Sequence, residues 1–170
     1  MSRALKRWLL SWLREMGNKQ HQLLQAGAKA PDFRLRSVDD KEFSLTEMAS
    51  RGTALLAFFK ISCPVCQLTF PFLERVHQAG KLAVYGVSQN NLKDTQQFAA
   101  RFGTTFPMLL DTEQSGFPVS NAYGISSVPT MFLVERDGSI AQVMEGWRRD
   151  EMAAIGAVGP ADNVPQWKAG

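Results

Sequence analysis

The chain is expected to fold as one α/β domain, a mixed central sheet with helices on both faces, carrying an N-terminal helical arm. Three observations point there. Thr53 to Phe59 (TALLAFF) is continuously apolar, as a central strand covered on both faces requires, and Leu82 to Val87 is a second such run. A helical stretch separates the two, and another follows the second. Finally, Arg136-Asp137-Gly138 lies between Thr130–Val134 and Ser139–Glu145, which reads as a hairpin.

Taken in order, Leu5, Leu9, Trp12 and Met16 recur at helical spacing, with Trp8 and Leu13 filling in and Gly17 placed to stop the helix. Arg3, Lys6, Arg7 and Arg14 fall mostly off that stripe, so this is a basic amphipathic helix. It could dock on the domain or a second copy, lie on an anionic membrane surface, or be an export signal. Asn18 to Ala30 is polar and reads as a linker. Phe33, Leu35, Phe43 and Leu45, around Val38-Asp39-Asp40-Lys41, predict a short β-hairpin. Ser44-Leu45-Thr46-Glu47 has the spacing of a capping box, so a brief helix is expected over Thr46 to Ser50. Further helices are expected over about Cys66 to Ala79, Asp94 to Phe102, Phe117 to Tyr123 and Asp150 to Val158, with a short strand at Met108 to Leu110. The expected organisation is an arm and linker over 1–27, the domain over 28–158 and a tail over 159–170.

With 170 residues and 45% hydrophobic content, there is enough chain for one buried core. The net charge is +3, but residues 1–19 hold five basic side chains against Glu15. They therefore carry +4, leaving −1 for the rest, which argues against a nucleic-acid surface. No run approaches the ~18–20 apolar residues of a membrane span. Trp8 to Leu13 is also short for a secretory h-region of ~7–15 residues.

Both cysteines fall in one stretch, KISCPVCQLTFP, at Cys63 and Cys66. If Cys63 ends the strand and Pro64 takes the first helical position, the Cys63 sulfur becomes the N-cap. It then faces free backbone N–H groups and the positive end of the helix dipole, which favour a thiolate. Cys66 lies one turn away and deeper, where a small-ring disulfide can form and break. Other uses fit less well. A structural disulfide across three residues would constrain the unfolded chain little. Zinc needs four ligands, and the chain's histidines, His21 and His77, supply no second ligand pair. Copper(I) on two thiolates is chemically feasible. Redox exchange, which needs no bound cofactor and no metal, is the favoured reading.

Several motifs in order resemble the thioredoxin superfamily. A strand precedes C-x-x-C, Pro71 lies five residues past Cys66, and Val128-Pro129-Thr130 comes before a later strand. Ala30-Pro31-Asp32-Phe33, Tyr85-Gly86-Val87-Ser88, Phe106-Pro107-Met108-Leu109-Leu110-Asp111 and Ala122-Tyr123-Gly124-Ile125 narrow the likeness. Together they are similar to the TlpA/ResA-like thiol-disulfide oxidoreductases and the neighbouring redoxin/AhpC-TSA group. The likeness spans roughly residues 28–158. It implies a thioredoxin-like fold and a cis Pro129 facing the dithiol, with Val128 offering backbone groups to an extended substrate. Pro71 would kink the active-site helix. Ser62 and Pro64, flanking Cys63, complete the implied substrate-contacting set. The implied activity is disulfide exchange with a protein dithiol or disulfide, Cys63 attacking and Cys66 resolving, with a redox partner to reset the pair.

This chain departs from that family in instructive places. Ser62 stands where thioredoxin has Trp, Ala57 where it has a buried Asp, and Thr69 where many TlpA/ResA-like proteins have Glu. The usual proton acceptors for the inner thiol are therefore missing. A peroxiredoxin-like peroxidase using Cys63 is the rival within the superfamily. That chemistry resembles a site with Thr or Ser three before the cysteine and an Arg near the later strand, where this chain has Lys60 and Pro129. A non-catalytic, redox-sensing module recruited to a membrane is the other alternative. TlpA/ResA-like relatives usually work outside the cytoplasm. Here the expected compartment is the cytoplasm, with residues 1–19 offered to a membrane surface and an extracytoplasmic location left open.

Overall fold

The computed structural model describes residues 22–80 and 82–156. The amphipathic segment of residues 5–16 and the tail beyond 156 lie outside them. Seven strands occur: β1 (Arg34–Arg36), β2 (Glu42–Ser44), β3 (Ala54–Phe59), β4 (Ala83–Ser88), β5 (Met108–Leu110), β6 (Thr130–Val134) and β7 (Ile140–Glu145). The helices are α1 (Leu45–Arg51), α2 (Pro64–Gln78), α3 (Leu92–Phe102), α4 (Pro118–Tyr123) and α5 (Arg149–Gly156), with a 3-10 turn at Glu113–Ser115. β1 and β2 form the expected antiparallel hairpin. The other five strands make a mixed sheet in the order β5-β4-β3-β6-β7. β3 runs parallel to β4 and antiparallel to β6, so it is central.

The run of apolar residues in β3 has the cause expected of it. Leu55, Ala57 and Phe59 face one core with Cys66, Phe70 and Leu73 of α2 and Phe98 of α3. Ala54, Leu56 and Phe58 face the other, with Leu45 and Met48 of α1 and Val119 and Tyr123 of α4. All six β3 side chains are buried, because alternate residues serve opposite faces. Phe59 sits between Phe70 and Phe98 at centroid distances of 4.3 and 4.9 Å, which ties the end of β3 to both helices.

Several element ends differ from expectation for local reasons. α2 begins at Pro64, because Cys63 caps it. α3 starts two residues before Asp94, since the Asn91 side chain accepts from the Asp94 amide and serves as N-cap. Ser44 caps α1 by accepting from the Glu47 amide. Residues 22–30, read from sequence as linker, lie along the domain instead. The Leu24 amide donates to the Tyr123 carbonyl (3.2 Å), and Gly27 and Ile140 are bonded through the Gly27 amide (2.8 Å). Leu23 and Leu24 pack against the second core, so two apolar residues in a polar stretch set its path. Gly124, at φ +72°, faces the Gln22 backbone so closely that an added Cβ would clash with the Gln22 carbonyl.

A buried carboxylate holds α4 in place. Asp111, wholly buried just after β5, accepts from the amides of Val119 (3.1 Å) and Ser120 (2.6 Å). It satisfies two donors that would otherwise be unpaired at the start of that helix. The Ser120 hydroxyl in turn accepts from the Gln89 side chain at the end of β4 (2.8 Å). Asp111→Ala should therefore destabilise the protein by about 2–4 kcal/mol, the cost of stranding two buried amides. Urea unfolding of the variant beside the parent measures this.

Candidate active site

Where β3 ends, the chain must turn from sheet to helix, and hydrogen bonds fix how it does so. The Gln89 amide donates to the Phe59 carbonyl (3.1 Å), and the Ile61 amide donates to Asn90 Oδ1 (2.9 Å). The Gln67 side chain reaches back from α2 to the Ile61 carbonyl (2.8 Å). The Cys63 amide closes the turn onto the Lys60 carbonyl (3.2 Å). Cys63 thus arrives at the mouth of α2 with extended backbone, φ −80° and ψ 115°, and with Pro64 in the first turn. Proline belongs there, since its missing N–H would have had no partner.

The Cys63 sulfur accepts from the Cys66 amide (3.3 Å), the bond made by an N-capping side chain. Its own thiol donates to the Val128 carbonyl (3.3 Å). Val128 precedes Pro129, and the bond between them is cis. Two bonds pin this loop. The Thr130 hydroxyl donates to the Ser127 carbonyl (2.8 Å), and the Gly146 amide donates to the Pro129 carbonyl (2.8 Å). Cys63 and Val128 are half-buried, Ser62 and Pro64 are exposed, and Pro129 is buried. The structure thus gathers Cys63, Cys66, Val128 and Pro129 at one spot, with Ser62 and Pro64 on its rim.

Cys66 is 0% exposed, packed among Phe70, Leu73 and their neighbours. Burial pushes its thiol well above the ordinary range, and a hydrogen bond with Cys63 adds to that. Both cysteines are free thiols. The two positions where relatives carry an acid contribute none here. Ala57 lies buried in β3, and the buried Thr69 donates its hydroxyl to the Val65 carbonyl of its own helix (2.7 Å). Pro71 sits inside α2, where it removes one backbone donor from the helix ladder. Among the described residues, no three His, Cys, Asp or Glu side chains gather as metal ligands.

A cavity of about 200 Å³ opens beside Val128, lined in part by Lys60, Gln89, Ser126 and Ser127. Sequence reasoning placed none of these around the site except Lys60. Gln89 and Ser120 come from the end of β4 and from α4, and only the fold brings them to the cavity beside Val128. Asp111 and Gly146 were missed for the same reason, since neither acts on a close sequence neighbour.

This arrangement agrees with the comparisons to known proteins. Residues 26–143 match the model of the AhpC/TSA family. The chain is 30% identical over 125 residues to the thiol-disulfide oxidoreductase ResA of Geobacillus thermodenitrificans, covering 71% of this chain and 69% of that protein. It is 31% identical over 134 residues to ResA of Halalkalibacterium halodurans, with 76% and 74% covered. Among solved structures, a putative thiol:disulfide interchange protein DsbE from Chlorobium tepidum superposes with a TM-score of 0.67 at 24% identity, over 81% of this chain and 96% of that one. With a strand-to-helix dithiol facing a cis-proline loop and relatives of this kind, the chain belongs to the AhpC/TSA family of the thioredoxin superfamily, as a ResA-like thiol-disulfide oxidoreductase.

Proposed function

We propose that the chain exchanges disulfides with protein substrates, Cys63 attacking and Cys66 resolving. The observation that carries this reading is the Cys63 sulfur, half-exposed between the amide of Cys66 and the carbonyl of Val128, with a fully buried thiol one turn behind it. The sulfur therefore meets a substrate with a backbone amide already aimed at it.

In the reducing direction the Cys63 thiolate attacks one sulfur of a substrate disulfide. A Cys63–substrate bond forms and the other substrate sulfur leaves as a thiolate. Cys66 then gives up its proton and attacks the Cys63 sulfur, which releases the second substrate sulfur as a thiolate that takes up from water the proton Cys63 had shed. The substrate gains two electrons and two protons, and the chain is left with a Cys63–Cys66 disulfide. A redox partner reduces that bond, and the same steps reversed make the chain an oxidant. Because Thr69 is turned onto its own helix, the substrate thiolate that has just left is the base at hand for the Cys66 proton. Val128 supplies backbone groups for an extended substrate, with Ser62, Pro64 and Pro129 beside it. The proposal extends to place of action: cytoplasm, with the basic residues 1–19 offered to an anionic membrane surface. No described helix is long and apolar enough to cross a membrane.

With the resolving thiol removed, Cys66→Ser should accumulate a mixed disulfide through Cys63, seen as a reductant-labile mass increase with insulin or a cell extract. Failure of either cysteine to form adducts or to support insulin reduction would refute the reading. Peroxide-driven oxidation of Cys63 far faster than that of a free thiol would favour a peroxidase instead.

The burial of Cys66 sets a pH dependence. Its folded thiol ionises above the value of the unfolded chain, so the stability tied to the protonated form is complete below that value. It is lost as pH rises beyond about 9, because the unfolded chain releases the proton first. Reduced protein should lose stability above that pH relative to Cys66→Ser. In Cys63→Ser, thiolate absorbance near 240 nm should fail to develop where an ordinary cysteine is half ionised.

A further inference from the structure

We infer that Lys60 selects substrates bearing a carboxylate side chain close to the reacting cysteine, an inference that rests on the exchange reading above. The cavity beside Val128 is the observation that carries it. Its lining includes Lys60, Gln89, Ser120, Ser126 and Ser127 and contains no Asp or Glu. Lys60 is exposed, and among the described residues no carboxylate lies within ion-pair distance of its ammonium. The Lys60 backbone is placed by the same turn that places Cys63, since the Lys60 carbonyl accepts from the Cys63 amide, and its side chain lines the cavity. Part of the lining is held by hydrogen bonds. Gln89 is bonded to Ser120, whose amide is held by the buried Asp111.

Among the described residues, the cavity thus holds one cation with no carboxylate beside it. A substrate extended along Val128, with its sulfur at Cys63, can send a neighbouring side chain toward this space, since Val128 both bonds Cys63 and lines the cavity. In an extended segment, alternate residues point the same way at about 7 Å spacing, so a residue one or two positions from the cysteine falls within reach. Hydroxyl and amide groups there can hydrogen-bond a carboxylate, and Lys60 supplies the opposite charge. An apolar side chain could rest on Phe117, Ile125 and Val128, which also line the cavity, but would leave the Lys60 ammonium and the Ser126 and Ser127 hydroxyls without a partner. The preferred partner is therefore a protein disulfide or dithiol with Asp or Glu beside the cysteine.

The test uses the full chain, fully reduced, and a set of peptide disulfides that differ only in Glu or Gln at positions one or two away on either side. The second-order rate of oxidation of the protein is measured for each. At low ionic strength one Glu position should react roughly three- to fivefold faster than its Gln partner, the range an exposed ion pair supports. That ratio should shrink toward one in molar salt. Lys60→Gln should bring it to about one, Lys60→Glu should invert it, and Lys60→Arg should retain it. A ratio of one at every position in the parent, or a preference that survives Lys60→Gln, overturns the inference. Cys63-dependent reaction of the Gln peptides reports separately on the exchange reading. If even those peptides fail to react through Cys63, that reading falls and the inference with it.

Discussion

The site depends on how one sulfur is held. Strand β3 is pinned to its neighbours on both sides and packed on both faces, so its last residue cannot drift, and the chain must leave it by a short turn. That turn delivers Cys63 to the first free amides of α2, where its side chain does what a serine or aspartate does at other helix starts. Capping roles are common, but a thiol in that role keeps the chemistry of sulfur. The same contact that starts the helix also presents the sulfur proposed to attack, so on that reading local stability and reactivity have a single cause.

Around that sulfur, the two cysteines divide labour by depth. The outer one meets a carbonyl from a distant loop, and the inner one is packed among phenylalanines with its proton held by the cost of burying charge. Relatives of this fold commonly set an acid near the inner thiol, and this chain has Ala57 and Thr69 instead. Under the proposed exchange, deprotonation of Cys66 waits on the substrate, and its burial keeps it from solution reagents until then.

Much of this was legible in the residues because the informative signals were local. The unbroken apolar run of β3, the Ser44 cap, the Arg136-Asp137-Gly138 hairpin and the Cys63-Pro64 junction each act over a few positions, and all seven expected strands are present. Of the site, the two cysteines and Val128-Pro129 could be paired only through a resemblance. What stayed hidden was long-range. Asp111 caps a helix seven residues on, Gln89 reaches a serine 31 positions away, and Gly146 bonds Pro129 across the sheet. No periodicity or spacing encodes such contacts. The early start of α3 at Leu92 and the docking of residues 22–30 were missed because Asn91 and Leu23-Leu24 are weak signals in polar surroundings.

The small hairpin of β1 and β2 has a bearing on how other chains can approach. Ser37, in its turn, bridges Leu109, and the Val38 amide donates to the Met108 carbonyl, so the outer side of β5 is already occupied. The opening residue of β7 is likewise taken up by the 27–30 segment. A visiting strand cannot extend the sheet at β5, where an uncovered flank would invite indiscriminate pairing and aggregation. The hairpin thus does a second job, closing the β5 flank of the sheet to a strand from another chain.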